Sequence, residues 1–225
     1  METIQSLAKF YQEGGPWMHP ITLVSIIALA VLVERFIALY LRYNINGQSF
    51  MAQIQKLIAT NNIPRAIKIC DAAPKAALPK VIKAGLTRAN KDETDIIDSI
   101  EETTLEVMPL ITKRTQSLAA LGSTATMLGL LGTINGLIDA FASLENAAPD
   151  QKQAFLAKAI SVALNTTAFG LMVGIPCTVG HVILTGITKK IVDEIDEYSL
   201  KLQNTLISRI KSSADVIDRT QQSEG

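Results

Sequence analysis

Apolar positions in this chain gather into three long blocks, separated by stretches where apolar and charged residues recur with a helical period. The blocks cover about residues 21–41, 118–141 and 160–187, and each meets the roughly 20-residue length needed to cross a bilayer. The first is interrupted only by Thr22, Ser25 and the Glu34–Arg35 pair near its end, where an interfacial ion pair with a snorkelling arginine is expected. Trp17 before it, with Tyr40 and Tyr43 after it, is placed like an interfacial anchor. Between the first two blocks, helices are predicted over 48–61, 63–71 and 74–90, with Pro64 in a first turn and Pro79 marking an interruption. From Asp92, a cap, the stripe Ile96, Ile100, Val107 and Ile111 predicts a helix running straight into the second block, kinked at Pro109. After the third block Ile191, Ile195, Tyr198, Leu202 and Leu206 keep the stripe, and residues from about Ser212 read as a frayed tail. No segment reads as a strand. The pattern predicts an all-α polytopic membrane protein with three transmembrane helices.

Charge at the block ends orients them. Arg42, Lys113, Arg114, Lys189 and Lys190 fall on one side, whereas Lys9, Lys152 and Lys158, with Glu145 and Asp150, fall on the other. The positive-inside rule then puts the amino-terminus outside and the carboxy-terminus in the cytoplasm. The chain divides into an outer segment 1–16, transmembrane helix 17–43, a cytoplasmic helical region 44–117, transmembrane helix 118–142, an outer loop 143–159, transmembrane helix 160–187, and a cytoplasmic helix and tail 188–225. The polar first sixteen residues and the length of the run behind them read as a retained anchor, not a cleaved signal.

Composition agrees: 48% of residues are hydrophobic and 19% charged, with a mean hydropathy of +0.26. A net charge of zero gives no footprint for nucleic acid. Cys70 and Cys177 have no paired spacing, so neither a disulfide nor a metal site is expected. HExxH, CxxC, Walker A and GxSxG patterns are absent, so no catalytic residue is assigned and no enzyme activity expected.

Candidate chemistry lies in the second and third blocks. Gly122, Gly129, Gly132 and Gly136 punctuate the second, and Gly132 and Gly136 are spaced as GxxxG, which lets a second helix approach closely. Thr133 lies about 17 residues before the hairpin centre near Asp150 and Thr167 about 17 after it, so the two hydroxyls fall at one depth. Each could simply bond the carbonyl one turn back. The depth match and the neighbours Asn165 and Thr166 instead point to a pore or an ion site. Gly170, Gly174 and Pro176 suit close packing and a kink, with Cys177 as small-residue packing. His181, about four turns after Thr167 on roughly the same face, offers a proton relay or an inter-subunit hydrogen bond. His19 is expected at the interface. No acid falls mid-membrane: Glu34 is at a span end and Asp139 near the outer end of its span. Any titrating group must come from another chain.

LGLLGTINGLIDAF closely resembles the span-two signature of the MotA/TolQ/ExbB proton channel family, and ALNTTAFGLMVGIP its span-three signature. PWMHPITLVSIIALAVLVERF resembles the family's first span. Three spans and a modest insert favour the TolQ/ExbB branch. The resemblance implies an ion-conducting motor subunit in the bacterial inner membrane. It also implies a homopentamer around a dimer of a single-span ExbD/TolR-like partner, whose membrane aspartate carries the ion past Thr133 and Thr167. Val162 stands where relatives of this type often carry a glutamate, which puts a relay through that group in doubt. The neutral oxygens of Thr133, Thr166 and Thr167 keep sodium open beside the proton as the transported ion, and no other cofactor is expected. A non-conducting helical scaffold is the competing reading; it needs the glycines but not the matched threonines.

Overall fold

The computed structural model describes residues 10–12, 14–39, 45–74, 76–145 and 148–223, with side chains through residue 212. The anchors expected at Tyr40 and Tyr43, together with the flanking charges Arg42 and Lys9, most of segment 1–16 and the last two residues, lie outside the described residues. All regular structure among the described residues is helical. The helices are α1 (Met18–Ile37), α2 (Gly47–Ala59), α3 (Ile63–Asp71), α4 (Ala77–Thr87), α5 (Glu93–Thr112), α6 (Thr115–Glu145) and α7 (Lys152–Ser223). Three helical stretches, beginning at Met18, Glu93 and Lys152, contain windows long and apolar enough to cross a membrane. They correspond to the three apolar blocks. The chain forms two compact units, Met1–Arg35 with Arg114–Leu184, and Phe36–Lys113 with Thr185–Gly225.

Capping explains the starts of the short helices in the second unit. Asn46 and Asn62 each accept a bond from the backbone N–H three residues on, at 3.2 and 3.3 Å, and Pro64 occupies the first turn of α3. Asp92 takes the cap position of α5 but makes no side-chain cap bond. Pro79 falls in the first turn of α4, where a missing N–H costs nothing, so the expected interruption does not occur. Ile54, Ile82, Leu86, Ile96, Ile100 and Leu202 are buried in this unit, each burial contributing about 1.5–3 kcal/mol. Gly85 lets α4 close on α5 and α7: an added Cβ would stand 2.6 Å from Ile100 and 2.9 Å from Leu202.

Beyond shifts of a few residues at the ends of the short helices, three boundaries differ from the sequence expectation. The helix from Asp92 does not run unbroken into the second block, because Lys113 turns extended and Arg114 adopts φ 62°. Pro109 lies within α5, its carbonyl accepting the Lys113 N–H at 2.9 Å, and the backbone turns just after it. At the hairpin, α7 begins at Lys152, which shortens the expected 143–159 loop. Past Ser212, where a frayed tail is expected, the backbone of α7 continues helical to Ser223.

The first unit packs through absence of side chains. An added Cβ on Gly170 would stand 2.7 Å from the Ala125 carbonyl, and one on Gly129 would stand 3.1 Å from the Gly170 Cα. Gly122 faces Cys177 and the Gly174 carbonyl in the same way, and Gly136 faces Ala163. The pairing fixes an antiparallel α6–α7 hairpin held by close van der Waals contact, the driving force available between helices in lipid. The other faces carry exposed Met127, Leu130, Ile134, Ile138 and Phe141 on α6, and Leu164, Leu171, Met172 and Ile175 on α7.

Candidate ion site

Several threonines in the α6–α7 hairpin share one habit. Thr124, Thr126 and Thr178 each donate only to the carbonyl four residues back, at 2.8, 3.1 and 2.9 Å. Thr133 and Thr167 cross between helices. Their hydroxyls contact each other; Thr133 also lies 3.2 Å from the Gly129 carbonyl and 3.3 Å from the Ala163 carbonyl of the facing helix. Thr167 donates across to the same Gly129 carbonyl at 3.2 Å. Two hydroxyls and two main-chain carbonyls therefore share one spot. Close approach at Gly129 makes it possible, since a side chain there would push α7 away.

Only the hydroxyls bring protons to this cluster, one apiece, and its four oxygens have lone pairs to spare. Such a set can ligate a hard cation through neutral oxygens, or order water, but it cannot itself carry a titratable proton. Both threonines are half-buried. Gly14 and Trp17, just ahead of α1, lie against Thr166 and Gly132, so the cluster is level with the start of α1. From there α6 continues for about another 18 Å to Glu145.

The remaining candidates separate. Thr166 is 1% exposed and donates to the Gly14 carbonyl at 2.9 Å and to Val162 at 2.8 Å, so its hydroxyl is engaged away from the Thr133–Thr167 pair. Asn165 is half-buried. Gly129, Gly132, Gly136, Gly170 and Gly174 all lie at close approaches, and Pro176 and Cys177 face α1 across a groove shared with Ser25, Ala28 and Leu32. His181 bonds within its own chain: Nδ1 lies 2.9 Å from the Thr115 carbonyl. A carbonyl only accepts, so Nδ1 carries the proton. Glu34 meets Arg114 at 2.5 and 2.7 Å, and Arg35 is buried. His19 is exposed and holds Tyr11 at 2.8 Å. Nothing in the sequence signals the Glu34–Arg114 or Thr166–Gly14 contacts, which join residues 80 and 152 positions apart.

Three helices long and apolar enough to cross a bilayer describe a membrane protein. A model of the MotA/TolQ/ExbB proton channel family matches residues 73–197, more than half of the chain, and the chain belongs to that family. It is 34% identical over 122 residues to an ExbB homolog of Methanothermobacter thermautotrophicus, covering 54% of this chain and 41% of that protein. It is 23% identical over 184 residues to biopolymer transport protein exbB1 of Vibrio cholerae serotype O1, covering 81% of this chain and 80% of the other. A solved structure of C. jejuni MotAB aligns over 82% of this chain and 80% of its own, with 15% identity and a TM-score of 0.45, too distant a likeness to build on.

Proposed function

We propose that this chain is the ion-conducting subunit of a bacterial inner-membrane motor, coupling an ion gradient to mechanical work through a single-span ExbD/TolR-like partner. The observation that carries the reading is the Thr133–Thr167 contact across two helices over a shared Gly129 carbonyl. A scaffold needs the glycine packing but gains nothing from hydroxyls that reach across it. Since the cluster has no titratable group, the partner supplies a membrane carboxylate, and this chain's oxygens stabilise the ion or water beside it. The assembly is a homopentamer around two partner helices, with the amino-terminus periplasmic and the second unit cytoplasmic. Charge at the span ends supports that orientation. Val162 carries no carboxylate, so conduction here runs without a relay at that position.

Protons are the expected ion. Four neutral oxygens make sodium the specific rival, with Thr133 and Thr167 as its ligands and Thr166 held apart by its bond to Gly14. The complex with its partner, reconstituted in liposomes, is expected to move ions in sodium-free buffer and to stop with a protonophore. Activity that requires sodium and ignores the protonophore overturns the proton assignment. No partner-dependent flux with either ion, from a correctly assembled complex, leaves the scaffold.

A further inference from the structure

Outward of the threonine cluster, α6 and α7 part to leave a cavity of about 210 Å³. Its floor is Gly136 and Val162, and its walls carry Asp139 and Ser143 from α6 and Phe155 and Lys158 from α7. Asp139 and Lys158 are both exposed and border the same space. They carry opposite charges and line the same cavity. The floor touches the site already described: Gly136 lies against Ala163, whose carbonyl is 3.3 Å from Thr133 Oγ1. From Thr133 to Asp139 is six residues along one helix, about 9 Å of rise. An anionic group is thus held just outside an oxygen cluster suited to a cation, in a chamber large enough for several waters.

We infer that Asp139 and Lys158 form the outer, charge-selective mouth of the ion path. Asp139 concentrates a monovalent cation above the Thr133–Thr167 cluster, and the Lys158 ammonium opposes that cation and sets how tightly it is held. The inference rests on the conduction reading for its use, and on the cavity's lining for its chemistry. Removing either charge shifts the local potential in opposite directions. Asp139→Asn should raise the external ion concentration for half-maximal flux about five- to tenfold, and Lys158→Gln should lower it by a similar factor, with maximal flux little changed in both. Asp139→Glu should behave as wild type. Glu145, Asp150 and Lys152 are the other charged groups at this end of the hairpin, and neutralising them should move the value less.

A second readout does not need conduction. With Cys70 and Cys177 replaced by alanine, Ser143→Cys places a thiol in the cavity wall. A cationic, membrane-impermeant methanethiosulfonate should modify it faster than an anionic one of similar size. That rate ratio should fall about tenfold on adding Asp139→Asn and rise on adding Lys158→Gln. A ratio unmoved by either change, or moved in the same direction by both, overturns the mouth whatever the motor does. Equal shifts in flux for Asp139→Asn and Asp139→Glu overturn it too, since they would report packing instead of charge. Wild-type complex without flux, but with the charge-dependent labelling intact, counts against the conduction reading and leaves the electrostatic cavity standing.

Discussion

At the scale of single residues, the difference between Thr133 and its neighbours is where the hydroxyl points, not what it is. Thr133→Ala or Thr167→Ala should abolish partner-dependent flux with assembly intact, because an oxygen is lost with little volume. Either residue changed to serine should keep a measurable fraction, and Thr124→Ala, whose hydroxyl bonds only its own helix, should change nothing. Flux assays on purified complex, normalised to assembled protein, check all of these. The matched pair was legible because equal spacing from a hairpin turn fixes equal depth. The fate of Thr166 was not, since its acceptor is a main-chain carbonyl in a loop that no periodicity locates. Cys70 gives a separate prediction. Burial, with Asp71 beside it, pushes its thiol from the usual 9.0 up to about 12. The thiolate is the reactive form, and at pH 8 it falls to about one part in ten thousand in the folded chain, against about a tenth when unfolded. Folding therefore favours the protonated thiol, a contribution fully present below about pH 9 and lost as pH rises toward about 12. In a Cys177→Ala background, maleimide labelling at pH 8 should be negligible until denaturant is added.

At the scale of elements, glycine content decides which helix contacts are possible. Gly170→Ala would place a methyl 2.7 Å from the Ala125 carbonyl and Gly129→Ala one 3.1 Å from a facing Cα, contacts that backbone cannot yield cheaply. Each should cost about 1–3 kcal/mol and lower the Tm of the detergent-solubilised protein. Gly186→Ala meets nothing within 4 Å and should leave Tm unchanged or raise it slightly, as alanine is the better helix former. Thermal unfolding of the three variants side by side separates the cases. Helix existence was readable throughout from apolar period and length. Their ends were less so. The break before α6 depends on a left-handed Arg114, a conformation that few side chains adopt and no local pattern announces. Glu34 grips that same residue, at 2.5 Å. Glu34→Arg should weaken the contact and Arg114→Glu in the same chain restore it, measured as recovery of Tm in the double variant relative to either single one.

At the scale of the whole molecule, the protein exposes large apolar side chains along α1, α6 and the apolar part of α7, from Leu23 and Ile26 to Val182. In the proposed assembly lipid would cover some of that surface, and copies of the chain and a partner the rest. Native mass spectrometry of gently extracted protein should give five copies; monomers or dimers alone would contradict the ring. Stoichiometry was never legible in one chain's pattern, because a helix face that meets lipid and one that meets a neighbour are equally apolar. The shared Gly129 carbonyl has a consequence for watching such a ring at work. A carbonyl that accepts from hydroxyls has its stretching vibration drawn to lower frequency, and a cation bound through the lone pairs of those hydroxyl oxygens would polarise their O–H groups and draw it lower still. An isotope-edited infrared band at that one peptide would then split between occupied and vacant copies. The intensity ratio of the two components would count how many subunits are engaged at any instant.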